Sequence, residues 1–290
     1  MIHLTLLKKL LLIITGLTIS FAVHTSNYFH YTDNRIKNNS KSEEFISDAI
    51  EANDKVLTAL FPYTEPVYSL SVPSNMTYST AEFQKFQGTY LEESHDAGEA
   101  YLDSIVYAGD SLTYGLGLSN SYLGTRDVVA YGGLGVYDYL DYTENPSYNQ
   151  SEELKSPLEW LKKLNPQTLY IMLGTNGVAV YSNEYHINLY NKMLDRVVAA
   201  LPNTTIVLVA ITPWAESRVT EKFTNQKVDN FNMMVLEMAH ERGMYFLNFS
   251  EAVRDENGNF SPDYMSSDGI HWASTCKKLF CQFVRTHPIP

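Results

Sequence analysis

The sequence predicts an α/β protein of the flavodoxin-like kind, a three-layer α/β/α sandwich built around a five-stranded parallel sheet. Three observations predict it. Beyond residue 100, short apolar runs alternate with segments whose apolar residues recur every three or four positions, the pattern of strands separated by amphipathic helices. The strand-like runs are apolar along most of their length, as expected of strands covered on both faces. Clusters of glycine and polar residues follow the carboxyl ends of four of the five runs, the edge where an open parallel sheet binds its ligands.

Composition sets the limits. The chain has 290 residues, of which 44% are hydrophobic, enough to bury one sizeable core. With 33 acidic and 21 basic residues the formal charge is -12, which leaves no basic footprint for a phosphate backbone; a nucleic-acid partner is not expected. The two cysteines, Cys276 and Cys281, stand five apart on a predicted helix and point to different faces. Two buried free thiols are expected there, not a disulfide or a zinc site.

Residues 1–23 read as a signal peptide or signal anchor. Lys8 and Lys9 precede an uncharged run over 10–23, shorter than the roughly 20 residues of a membrane span and suited to a signal-peptide core of about 7 to 15. Counted from Leu4, the run holds both lysines, which could snorkel to the cytoplasmic face. In either case the positive flank stays inside and the rest is exported. The expected location is secreted, or anchored to the outer face of the cytoplasmic membrane. Residues 24–99 form a polar tether and a helical N-terminal extension. Ile46, Ala49, Ile50, Val56, Leu57 and Leu60 keep helical spacing up to Pro62. Pro62, Pro66 and Pro73 then break up a loop-rich segment with a possible edge strand at 67–72, and a short helix is predicted over 81–86.

Residues 100–290 carry the regular pattern. The first strand, 104–108, runs into Gly109, Asp110 and Ser111; the glycine permits a sharp turn that presents a serine at the strand end. Asp and Ser are also common helix N-caps, and the stretch by itself reads at least as well as a cap. The second strand, 127–131, leads into Gly132, Gly133, Leu134 and Gly135, and a helix over 152–164 closes at Pro166. The third, 168–173, is followed by Gly174, Thr175 and Asn176. Helices then follow from the spacing of Ile187, Tyr190, Leu194, Val197 and Leu201, and of Val228, Phe231, Val235 and Met238. They flank a fourth strand at 205–211. After a fifth strand at 244–249, a long loop carries Asp268, Gly269, Ile270 and His271, and a last helix starts near Trp272.

In this fold the four clusters face one crevice, and acyl transfer gives them complementary roles. A serine hydroxyl needs a base within hydrogen-bond reach and a group to orient that base. His271 is the candidate base for Ser111 and Asp268 the orienter; three residues apart, their side chains can share a face. A tetrahedral intermediate needs N–H donors, which Gly135, Asn176 and the Ser111 amide could supply. Taken singly, each cluster has a plainer reading: the glycines, Asn176 and Asp268-Gly269 as turns, and His271 as a structural histidine. Asp110 reads as structural, ordering the loop beside Ser111.

The same residues resemble the four sequence blocks of the SGNH/GDSL hydrolases, flavodoxin-like serine esterases and acyltransferases. Gly109-Asp110-Ser111-Leu112 is similar to the first block in full, and Gly135, the later glycine of a G-x-x-G, to the second. Gly174-Thr175-Asn176 resembles the third and Asp268-Gly269-Ile270-His271 the fourth, in the family's order, across about residues 100 to 285. The resemblance implies Ser111 as nucleophile, an Asp268–His271 pair, an oxyanion hole of Ser111, Gly135 and Asn176, and no metal or cofactor. Trp272 departs from the small or aliphatic residue common after the histidine and is expected to shape an acyl or sugar pocket. The implied activity is hydrolysis of O-acyl esters, above all acetyl esters on carbohydrate. An O-acetyltransferase, a lipase or thioesterase, and a non-catalytic surface-binding module stand as alternatives. The sequence has 21 tyrosines and three tryptophans that could stack on sugars or simply fill the core. It lacks the G-x-S-x-G elbow of the α/β-hydrolases.

Overall fold

The computed structural model describes residues 85–117, 123, 128–140 and 156–290. The leader, the tether, the helix expected from Ile46 to Leu60 and the strand at 67–72 lie outside the described residues.

All five predicted strands are present: β1 Ile105–Gly109, β2 Val128–Ala130, β3 Thr168–Met172, β4 Thr205–Val209 and β5 Tyr245–Leu247. They form one sheet in the order β2-β1-β3-β4-β5, with every neighbouring pair parallel. Seven α-helices are described: α1 Glu99–Asp103, α2 Ser111–Leu116, α3 Pro157–Leu164, α4 Thr175–Val178, α5 Asn183–Ala200, α6 Asn225–Glu241 and α7 Ser274–Thr286.

Successive side chains of a strand point to opposite faces, and the core divides accordingly. Val106, Ala108, Leu169, Ile171, Ile206 and Leu208 pack with α3, α5 and α6 on one face. Ile105, Tyr107, Tyr170, Met172, Val207 and Val209 pack with α2 and α7 on the other. This is the three-layer, flavodoxin-like sandwich that the fully apolar strands predict. Cys276 and Cys281 are buried thiols in the second core, not joined to each other by a disulfide.

Element ends differ from the sequence reading where tertiary contacts decide them. The described part of α3 starts at Pro157, with Ser156 accepting the Glu159 N–H, while 152–155 lie outside the described residues. The fifth strand is shorter than 244–249 because Phe249 begins a 3-10 turn, Phe249–Val253. Helix α7 starts two residues beyond Trp272. Beside β5, the Leu91 N–H donates to Phe246 O and the Phe246 N–H to Thr89 O, so the chain at Thr89–Leu91 shields what would be a free sheet edge.

The strand order places the ligand crevice. From β1 the chain moves outward to β2 on one side, then returns past β1 to β3 on the other, so connections leave in opposite directions at the β1–β3 boundary. Such a switch point opens a crevice at the carboxyl ends of the two strands. Ser111 follows β1 and Asn176 follows β3.

Candidate active site

Asp110, the residue after β1, is the N-cap of α2: its Oδ1 accepts the Leu112 N–H at 3.0 Å. The two roles that the sequence left open for Ser111 are thereby divided. Asp110 caps, and Ser111, at the first helical position, keeps its hydroxyl for other partners. Gly109 allows the turn to sit tight, since a Cβ there would lie 2.5 Å from Met172 O on β3 and closer still to the Thr113 hydroxyl. Any side chain would push β1 away from its neighbour.

His271 stands between Ser111 and Asp268. Its Nε2 is 2.9 Å from Ser111 Oγ and its Nδ1 is 2.6 Å from Asp268 Oδ2. Asp268 Oδ1 accepts from the backbone N–H groups of Ile270 and His271, each at 2.9 Å, and from the Ser266 hydroxyl at 3.0 Å. Partial desolvation raises the Asp268 pKa, but these donors and the His271 ring outweigh it and hold the carboxyl well below its ordinary range. An ionised Asp268 cannot donate, so Nδ1 carries the ring proton and Nε2 presents a lone pair to the Ser111 hydroxyl. The line joins Ser111 to an Asp268–His271 pair, with Ser111 and His271 160 residues apart in sequence.

The loop holding this pair is pinned from two sides. Arg218, in the 3-10 turn Glu216–Arg218, donates Nε–H to Asp268 O at 2.6 Å. Trp272, expected to shape an acyl or sugar pocket, is buried, packed against Phe249 and Phe280, and donates Nε1–H to Thr212 Oγ1. A bulky ring next to the histidine serves as an anchor in the core, which holds His271 by its neighbour.

The amide donors are partly committed. Asn176 donates one Nδ2 hydrogen to Leu134 O at 3.0 Å, which joins the third cluster to the second and leaves the other hydrogen available at an exposed position. Gly174, ahead of it, has φ 139°, and a Cβ there would approach the Phe231 ring to 2.4 Å, so only glycine fits. The Gly135 N–H, expected to face an oxyanion, is donated to Asp138 Oδ2 at 2.7 Å. The carboxylate three residues on caps the 3-10 turn Val136–Tyr139 and takes that hydrogen, so Gly135 can serve an oxyanion only when this bond opens or is shared.

Sequence reasoning missed four contributors: Ser266, Arg218, Asp138 and the Leu134 carbonyl. Asp138 had a legible signal in its capping position three residues after Gly135. Arg218 had none, because its contact depends on how two distant loops meet. Among the described residues, no group of three or more His, Cys, Asp or Glu side chains converges as metal ligands.

A parallel sheet in the order 2-1-3-4-5, bearing serine, glycine, asparagine and Asp-x-x-His clusters along its carboxyl edge, is the architecture of an SGNH-type ester hydrolase. The chain belongs to the GDSL-like lipase/acylhydrolase family, whose model matches residues 107–275. Among solved structures it is similar to a protein from Streptococcus pneumoniae provisionally named a platelet activating factor, at 14% identity and a TM-score of 0.51, over 86% of this chain and 98% of that one. It is also similar to a GDSL-like lipase from Bacteroides thetaiotaomicron, at 19% identity and TM-score 0.47, over 65% and 90% of the two chains. A carbohydrate esterase family 3 protein from Talaromyces cellulolyticus matches at 17% and 0.44, over 62% and 93%. No curated protein matches the chain by sequence.

Proposed function

We propose that this protein is an exported serine esterase that removes O-acyl groups, specifically acetyl groups, from a carbohydrate through a Ser111–His271–Asp268 triad. One observation carries the reading: the unbroken line from Ser111 Oγ to His271 Nε2 and from Nδ1 to Asp268 Oδ2, at 2.9 and 2.6 Å.

His271 Nε2 takes the Ser111 proton as Oγ attacks the ester carbonyl carbon. The oxyanion accepts from the Ser111 N–H and the free Nδ2 hydrogen of Asn176, with Gly135 as a third donor once Asp138 releases it. When the tetrahedral intermediate collapses, the C–O bond to the leaving alcohol breaks and the imidazolium Nε2–H protonates that oxygen. Water, deprotonated by His271, then attacks the acyl-enzyme; the carboxylic acid departs and Ser111 regains its proton. No other reactant is required.

The carbohydrate part is supported by two exposed aromatic side chains on elements that flank the crevice. Tyr114 lies on α2 with Ser111, and Tyr185 on the helix after the Asn176 segment; they are 40% and 38% exposed. Aromatic faces left in water on elements that begin at the sheet's carboxyl edge suit a sugar ring. Export rests on the lysine-flanked apolar run over 10–23, and membrane contact, if that run stays uncleaved, would be through it.

The test is labelling of Ser111 by a fluorophosphonate, with and without acetylated polysaccharide as competitor, beside turnover of 4-nitrophenyl acetate. Ser111→Ala is expected to abolish labelling and to lower kcat at least about 10³-fold. A Ser111→Ala protein that still hydrolyses the ester at the parental rate overturns the mechanism. Labelling that the polysaccharide leaves untouched overturns the choice of substrate.

A further inference from the structure

Two buried polar atoms beside the triad have no part in the steps above. Asp110 is wholly buried; its Oδ1 takes the Leu112 N–H, while its Oδ2 has no closed hydrogen bond. Thr175 Oγ1 is likewise buried and lacks one. Burial pushes the Asp110 carboxyl up, and the Leu112 N–H and the Thr175 hydroxyl offset part of that push. His271 and the Tyr190 phenol also sense that carboxyl's charge. Stranding a carboxylate oxygen and a hydroxyl in the interior is costly unless each serves the other.

Their places in the chain say what such a contact would do. Asp110 directly precedes Ser111, and Thr175 directly precedes Asn176. Strands β1 and β3 lie side by side with Gly109 opposite Met172, so the two loops leave the sheet together. A contact between Asp110 and Thr175 therefore spans the switch point one residue upstream of the nucleophile and one upstream of the amide donor.

We propose that the Asp110 carboxylate and the Thr175 hydroxyl form a tie across the crevice that sets the spacing between Ser111 Oγ and the Asn176 amide. The inference rests on the serine-esterase reading of Ser111. Thr175 is then a positioning residue acting through Asp110, and it touches neither substrate nor reacting atoms. Its influence falls on the transition state. A bound ester tolerates slack between nucleophile and amide, whereas the oxyanion is stabilised only when attack and donor are aligned.

Thr175→Val removes the hydroxyl and keeps the shape; Thr175→Ser keeps the hydroxyl and loses the methyl. The full chain is assayed with 4-nitrophenyl acetate, its active sites counted by fluorophosphonate titration to completion, its melting temperature recorded, and its inhibition by phenylboronic acid measured as a tetrahedral mimic. Thr175→Val is expected to lower kcat per titrated site about 10- to 100-fold with KM changed less than about twofold, and to weaken the boronate by a similar factor. Thr175→Ser should restore kcat to within about threefold of the parent. The tie is overturned if Thr175→Val keeps the parental kcat, if its loss lies wholly in fewer titrated sites or a lower melting temperature, or if Thr175→Ser is as slow as Thr175→Val. Ser111→Ala separates the two ideas. An inactive Ser111→Ala beside an unimpaired Thr175→Val removes only the tie, while an active Ser111→Ala removes the esterase reading beneath it.

Discussion

At the scale of single residues, the site depends on which of two chemically similar groups is given which task. Asp110 and Ser111 are both capping residues by type, yet only Asp110 accepts a helix N–H, and that leaves the serine oxygen to His271. Asp110 and Asp268 are both aspartates, and their surroundings drive them apart. Burial pushes the Asp110 pKa up to about 6, against the Leu112 N–H and the Thr175 hydroxyl, whereas four donors hold Asp268 down. Asp268 therefore stays ionised throughout the range in which an imidazole works as a base. Asp268→Asn replaces the acceptor at Nδ1 by an amide that can donate, which favours the wrong tautomer of His271. We expect kcat on 4-nitrophenyl acetate to fall about 10³- to 10⁴-fold with little change in the melting temperature. Equal falls in kcat and thermal stability would instead make Asp268 a structural residue.

At the scale of elements, two loops that leave neighbouring strand ends carry the nucleophile and the amide, and a third, after β5, brings the base across. The third loop is the longest of these and relies on a core anchor. Trp272 places its ring among Phe249 and Phe280 and its N–H on Thr212, so the residue before it is held at a fixed height above the sheet. Trp272→Ala is expected to cost about 3 to 5 kcal/mol of folding stability, as for other truncations of large buried rings, and to lower kcat in the surviving folded fraction. Trp272→Phe keeps one aromatic ring in the core but gives up part of the indole's volume and the hydrogen bond to Thr212, so it should cost about 1 to 3 kcal/mol, less than Trp272→Ala. Urea unfolding of the two variants checks the ranking.

At the scale of the whole molecule, a buried and a half-buried carboxyl give stability a definite pH dependence. Burial raises Asp110 from 3.8 to about 6 and Glu251 from 4.5 to about 7; in Glu251 the bonds from Tyr90 and Asn248 and the charge of Arg254 oppose the shift without cancelling it. A carboxyl with a raised folded-state pKa binds its proton more tightly when folded. Its stabilisation is complete below the unfolded value and is lost as pH rises through the folded one. Asp268, depressed in the folded state, works in the opposite sense and withdraws stability as pH falls below about 4. Denaturant unfolding should thus show stability declining from pH 5 to pH 8. Glu251→Gln should remove on the order of 2 kcal/mol of that decline. A variant with the parental slope would show that Glu251 does not titrate in this window.

The amino-acid sequence by itself determined the layer order, the five strands and the four reactive clusters, because strand burial, helical periodicity and turn chemistry are local and leave their marks in composition and spacing. Whole-length apolar runs imply cover on both faces, and an Asp three residues before a His needs only one turn to bring them together. Tertiary structure decided the rest: that Asp110 and not Ser111 caps α2, that Trp272 is anchored in the core, that Gly135 donates its N–H to Asp138, and that Arg218 holds the Asp268 carbonyl. Each of these depends on which groups meet across loops far apart in the chain, and on which polar atom finds the nearer partner. Spacing along a sequence carries no record of those distances.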